Sequence, residues 1–257
     1  QNRDLTGRVQ VTGDSNNGSH VGQFSFSADD LDIIYTADSG GYTNLRKIPV
    51  AGGTSVLMEP PSATEWGRWY DPHWTSSVTQ SGSVERVVCG ISGELWTFDP
   101  ATITGSDSSM IKLTTLTSGY SDTYAYSDKL YNPKWSPDNS MVTFVRRRAG
   151  TGSVDSDIYI LNNVQTHISA KTSISDWGSS DLILVSDYSQ PCWSPSISVD
   201  GTQVSYVIDV NSVFNNVDFW SDPDTEFSAA NFNAYFEKTD GSITDASVLE
   251  DNSYNEG

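Results

Sequence analysis

The chain is 257 residues long and sets 33 acidic against 14 basic side chains, a formal net charge of −19. That balance repels nucleic acid and anionic membrane surfaces, and no run approaches the roughly 20 apolar residues needed to cross a bilayer, so no nucleic acid and no membrane insertion are expected. The chain starts at Gln1 and is poor in Lys and Glu but rich in Ser, Thr, Asn, Asp and Gly, which reads as a processed, exported protein, extracellular or periplasmic.

In chain order, residues 1–20 form an arm. Its segment GRVQVTG, with Val9 and Val11 at alternate positions, predicts one extra strand. From residue 21 a repeat begins. Phe26 precedes SADDLDIIY, Trp74 stands in DPHWTSS, Trp135 precedes SPDNSMVTF and Trp193 precedes SPSISVDGTQVSY. Pro72, Pro133 and Pro191 stand two residues before the three Trp, where the first position of a strand needs no ladder donor. Each unit continues with an alternating strand, read in NLRKIP, ELWTF, DIYIL and NAYFEK, and ends on a last strand in SVLM, MIKLTTL, HISAKTS and ASVLED. The opening aromatics lie 48, 61 and 58 residues apart. This exceeds the roughly 40 to 50 residues of ordinary propeller blades, which puts the excess in loops. The units span about 21–64, 65–128, 129–186 and 187–257. Stripes of helical period are absent, so an α-rich fold is not expected. A β-sandwich of similar hairpins is the alternative, and the repeated aromatic argues against it.

The segment PKWSPDNSMVTF, followed by DIYILN, resembles the TolB-type propeller repeat, whose blades open with a Pro-x-Trp-Ser-Pro-Asp-Gly turn. The third unit matches best, with Asn139 in place of Gly. In the first, Phe26, Ala28 and Asp29 stand at the Trp, Pro and Asp positions. The second keeps Pro72 and Trp74, and in the fourth an insertion separates Trp193-Ser194-Pro195 from Asp200-Gly201. The resemblance covers about 21–250. It implies an all-β, TolB-like β-propeller of about four blades of four antiparallel strands, with protein binding or scaffolding rather than a reaction. TolB-type rings usually have more than four blades, so this ring is either small and closed or open and completed by a strand. The arm at Val9 and Val11 fits both roles. Within the chain it completes the last blade, and in a neighbouring molecule it links copies into a polymer by strand addition.

Long segments at 59–71, 117–131, 148–156, 173–190 and 211–231 emerge at one end of the blades, where partners or ions are expected. Asp222, Asp224 and Glu226 place carboxylates at alternate positions, and Asp155 with Asp157 and Asp14 with Asn16 repeat that spacing. A hard cation such as calcium takes six to eight oxygens, so these are the candidate ligands of a calcium cofactor, with solvated acidic turns as the bland alternative. Arg146, Arg147 and Arg148 form the one strong basic run, a candidate docking patch for an acidic surface on another copy. Trp66, Trp69, Tyr70 and Trp74 crowd into nine residues and offer a shelf for a polysaccharide, or fill the space between blades.

Cys89 and Cys192 allow one disulfide, although each sits in a strand-like apolar context. No catalytic residue is assigned. His20, His73 and His167 are scattered, and there is no nucleophile elbow, phosphate-cradling loop or redox thiol pair. The expectation is a non-enzymatic assembly subunit. The alternatives are a monomeric propeller that binds protein or glycan and the regulatory propeller of a larger hydrolase.

Overall fold

The computed structural model describes residues 21–39, 42–58, 69–74, 85–91, 93–101, 110–116, 129–147, 156–186, 192–209 and 232–238. Among them are fifteen strands and one short helix, and the strands make four antiparallel sheets in which each strand pairs with its neighbour in sequence. The first sheet holds β1 (Val21–Phe26), β2 (Asp32–Ser39), β3 (Tyr42–Pro49) and β4 (Val56–Met58). The second holds β5 (Trp69–Trp74), β6 (Val87–Ile91), β7 (Glu94–Phe98) and β8 (Ile111–Lys112). The third holds β9 (Lys129–Trp135), β10 (Val142–Arg147), β11 (Ser156–Leu161) and β12 (Leu182–Leu184), with helix α1 (Val164–Ala170) between the last two. The fourth holds β13 (Cys192–Ile197), β14 (Gln203–Asp209) and β15 (Phe232–Lys238).

The strands of the second and third sheets carry near-continuous apolar runs, such as VVCGI in β6, because a neighbouring sheet covers both of their faces. Ile34, Leu45 and Met58 of the first sheet pack against Val87, Cys89, Ile91 and Phe98 of the second. The opposite face of the second sheet, with Val88, Leu95 and Ile111, meets Trp135, Val142 and Phe144 of the third. Val145, Ile158 and Ile160 of the third meet Cys192, Val204 and Tyr206 of the fourth. The first strands lie side by side in the same succession, β1 by β5, β5 by β9 and β9 by β13, while β13 and β1 make no comparable contact among the described residues. The four sheets are therefore stacked blades, in the order of the chain.

Three blades turn from first to second strand in the same way. Ser27 Oγ–H donates to Asp29 Oδ1, Ser136 to Asp138 and Ser198 to Asp200, each at 2.6 Å. The same carboxylate accepts the amide two residues further on, from Leu31, Ser140 and Thr202, at 3.0–3.1 Å. The serine oxygen accepts the amides of Asp32, Met141 and Gln203 at 2.9 Å. Between them, Asp30, Asn139 and Gly201 adopt φ of 60°, 61° and 73°, the left-handed region that Asn, Asp and Gly enter most cheaply.

Just before this turn the first strand of every blade bulges, two residues facing one on the partner strand. The pairs are Gly22-Gln23 opposite Thr36, Asp71-Pro72 opposite Cys89, Asn132-Pro133 opposite Phe144 and Ser194-Pro195 opposite Tyr206. Proline fits there because an unpaired bulge residue needs no ladder donor.

Two sequence expectations are corrected. Ile197, not Trp193, occupies the position of Trp135, since Ile197 pairs with Val204 as Trp135 pairs with Val142. The repeated proline of the fourth blade is accordingly Pro195 rather than Pro191. Second, HISAKTS is not the outer strand: its first residues belong to α1, whose Val164 and Ile168 are buried four residues apart, and the outer strand is Leu182–Leu184. Of the two readings left open for the cysteines, the structure shows the apolar one: Cys89 and Cys192 are free buried thiols in two different interfaces, and burial holds the Cys89 thiol well above its usual pKa.

Candidate binding face

Antiparallel order puts the Ser–Asp turns at one end of the blades and the turns from second to third strand at the other. That second end is where the long segments were placed from the sequence, and most of them lie outside the described residues. So do Val9, Val11, Asp14, Asn16, Arg148, Asp155, Asp222, Asp224 and Glu226. What is described there is a set of polar side chains at the mouth of the second and third blades.

Arg146 sits near the end of β10, directly opposite Asp157 of β11, and opposed residues of an antiparallel pair project to the same face. Asp157 is buried within the strand rather than carried on a loop. The Arg146 guanidinium carbon lies 3.8 Å from the centre of the Trp177 ring, and its Nη1 donates to the Tyr159 hydroxyl at 3.4 Å. Trp177 in turn packs on Tyr159 at 5.0 Å between centroids, and Tyr159 stacks on Phe144 at 5.8 Å. A guanidinium over an indole is attracted by the ring's negative face, here in a half-buried setting. Of the three arginines, Arg146 is thus engaged inside its own blade, while Arg147, half-buried, faces the other way along the strand.

Two further polar centres were not legible as sites. Glu94, buried at the start of β7, accepts the Thr114 hydroxyl at 2.6 Å and the Leu116 amide at 3.1 Å, and Thr114 Oγ1 accepts the Leu95 amide at 2.9 Å. The knot fixes the strand that follows β8 where it crosses to the third blade. There Thr114 forms a parallel bridge with Ile174, whose carbonyl accepts the Thr115 amide at 2.7 Å. At the opposite end, where Val164 N–H of α1 donates to the Ser140 carbonyl at 3.2 Å, His167 Nε2 lies 3.2 Å from Asp181 Oδ2 and Nδ1 lies 3.1 Å from Thr172 Oγ1, while Asn163 Nδ2 donates to Asp181 Oδ1 at 2.7 Å. This set ties the helix to the loop before β12. Nothing in the spacing of the sequence distinguishes either centre, because each depends on a contact between residues 14 or more apart.

Among the described residues no three His, Cys, Asp or Glu side chains group as metal ligands, and no helix is long and apolar enough to cross a membrane. The three turn aspartates are each committed to a local serine. The Ser198 hydroxyl, with the amide and hydroxyl of Thr202, pulls Asp200 down to about 2, and Ser27 with the Leu31 amide lowers Asp29. At Asp138 partial burial pushes the other way, and the hydroxyls of Ser136 and Ser140 with the Ser140 amide outweigh it.

No protein-family model matches the chain, and no curated protein sequence matches it. Solved structures do. A putative TolB from Agrobacterium tumefaciens superimposes with a TM-score of 0.52 at 15% identity, over 88% of this chain and 64% of that one. The fold is a TolB-like β-propeller. A puromycin hydrolase mutant complexed with PGG superimposes on the propeller with a TM-score of 0.57 at 14% identity, over 89% of this chain and 32% of the hydrolase. TolB from Acinetobacter baumannii gives 0.49 at 15% identity, over 86% and 41%. The propeller spans less than two thirds of each of these structures. Since TolB and a hydrolase share the fold, the fold by itself assigns no reaction.

Proposed function

We propose that this propeller is a non-enzymatic assembly subunit of an extracellular polymer or matrix, exported to the extracellular space or the periplasm. Copies join by strand addition, and calcium binds at the long-loop end. The observation that carries this reading is the open succession of blades: the first and fourth have no comparable packing on each other among the described residues, which leaves two ends to be satisfied. Arm residues Val9 and Val11 supply the added strand. Calcium, held by carboxylates from the sets at Asp14 and Asn16, at Asp155 and at Asp222, Asp224 and Glu226, offsets the mutual repulsion of chains that each carry −19. Asp157 is left out of that set because it is buried opposite Arg146. Arg147 and Arg148 provide basic contacts to an acidic neighbour.

Electron microscopy of the full chain, with calcium and then with EDTA, tests this function. Filaments that dissolve on chelation are expected, and a protein that stays monomeric at high concentration with calcium present overturns the proposal. A second reading, the regulatory propeller of a hydrolase, draws on the 0.57 superposition with the puromycin hydrolase, of which the propeller matches 32%. A coding sequence that continues past Gly257 into a hydrolase segment would favour it.

A further inference from the structure

On the face of the first blade turned away from the second, Phe26, Ile33 and Ile48 stand in line, as Trp74, Val87 and Phe98 do on the face that the second blade turns to the first. Tyr35 and Ala37 share that face by alternation along β2. Among the described residues no blade precedes the first, yet three side chains here are sealed: Tyr35 is 1% exposed, Ala37 2% and Ile48 1%. They pack on one another and on Ile33, and no described residue of another blade joins them. Side chains at that burial have other atoms directly over them. These are burials within a single chain, so the cover belongs to this chain and lies outside the described residues.

The cover is also narrow. On the same face Phe24 and Phe26 of β1 are 62% and 46% exposed, and Leu57 of β4, in line with Tyr35 and Arg46, is 38% exposed. The sealed band therefore runs along β2 and β3, two strands about 4.8 Å apart, which one extended segment lying over them can cover. Blades within the chain meet through their first strands, β1 on β5, β5 on β9 and β9 on β13, so a blade lying here would cover β1 as well.

We propose that the N-terminal arm folds back over its own first blade and seats Val9 and Val11 on Tyr35, Ala37 and Ile48. The arm is tethered beside that band, because β1 begins at Val21 and Val21 pairs with Ala37. Residues 14–19, DSNNGS, have the composition of a reversing turn, and the GRVQVTG before them extends to roughly 23 Å at about 3.3 Å per residue, enough to run the length of β2. Its alternate valines give the strand one apolar side for the sealed band, and the side-chain charges of Arg3, Asp4, Arg8 and Asp14 cancel. Residues 239–257, by contrast, carry five carboxylates and no basic group and follow β15 in the fourth blade. The same arm is the strand donated in the assembly read above, so the seat rests on that reading for its consequence and supplies a restraint on it. A copy whose arm lies at home has no strand to donate, and assembly waits on release of the arm.

Hydroxyl-radical footprinting of the full chain, read residue by residue by mass spectrometry, tests the seat, with the arm variant Val9→Ser/Val11→Ser and the seat variant Ala37→Lys beside the parent. In the parent Tyr35 should be protected while Phe24 and Phe26 react, at every protein concentration. Both variants should raise the labelling of Tyr35 severalfold, with that of Phe24 and Phe26 and the circular dichroism spectrum unchanged. By electron microscopy with calcium, the seat variant should lengthen into filaments sooner than the parent and the arm variant not at all. Tyr35 reactive in the dilute parent overturns the seat. So does Tyr35 still protected in the arm variant, which would place the cover in another segment of the chain. A seat variant that uncovers Tyr35 but lengthens no sooner than the parent overturns the restraint. Tyr35 uncovered in both variants, with no filaments from any of the three chains, supports the seat and removes the assembly reading.

Discussion

The third and fourth blades contain the same tripeptide, Trp135-Ser136-Pro137 and Trp193-Ser194-Pro195, and fold it in two ways. In the third blade Ser136 opens the turn. In the fourth, Ser194 takes φ 50° and forms the bulge with Pro195, and the turn opens at Ser198. What separates them lies downstream. Ser136 and Ser198 are each followed by an aspartate two residues on and by Asn139 or Gly201 three residues on, while Ser194 is followed by Ser196 and Ile197. The turn is specified by a carboxylate that can reach the serine hydroxyl and by a residue that tolerates the left-handed region, not by the Trp-Ser-Pro string.

That equivalence can be broken most directly in the core. Trp135→Ala should cost about 3–5 kcal/mol in urea unfolding and Ile197→Ala about 2 kcal/mol, since both fill matching places between blades; a neutral Ile197→Ala would refute the match. The serines come next. Ser136→Ala removes a fully buried hydroxyl that bridges Asp138 and the Met141 amide, for about 1–3 kcal/mol, and Ser198→Ala should act in the same direction but less, being half-buried. Ser194→Ala, in the matching string but outside the turn, should stay within about 0.5 kcal/mol. Gly201→Ala should cost about 1 kcal/mol through its φ of 73° alone, because a Cβ there meets Met141 Cε at an ordinary 3.7 Å. Gly201→Asn should cost less, as Asn139 already occupies that conformation in the third blade.

The smallest effect concerns acid. The folded state holds Asp200 at about 2 and lowers Asp138 and Asp29. Their contribution to stability is therefore complete above the unfolded value near 4 and is lost as pH falls from there toward 2. Melting temperature followed from pH 5 to 2 should fall less steeply in Asp200→Asn than in the parent chain.

The propeller was legible because its turns and alternating strands are local: Ser, Asp and a left-handed residue within four positions, then apolar residues at period two. The misplaced features required information from further away. Trp193 looks like Trp135 until pairing with β14 shows which residue meets Val204. The segment HISAKTS alternates like a strand, yet burying Val164, His167 and Ile168 on one side needs the helical period, and that choice is made by packing on the core between the second and third blades. At the candidate face, Arg146 was visible as charge, but its seat on Trp177, 31 residues away, was not. Glu94 gave no signal at all, because a buried carboxylate is recognised by its donors and not by its neighbours in sequence.

The bridge between Thr114 and Ile174 bears on how the blades open. It threads main-chain bonds from the last strand of one blade into the excursion of the next, with Ile174 N–H also donating to the Leu113 carbonyl at 2.9 Å. Neither blade can release those amides to solvent without disturbing its neighbour. In hydrogen exchange, Thr115 and Ile174 should therefore report a shared opening of the second and third blades, one cooperative unit at the centre of the stack, with the outer blades free to open separately.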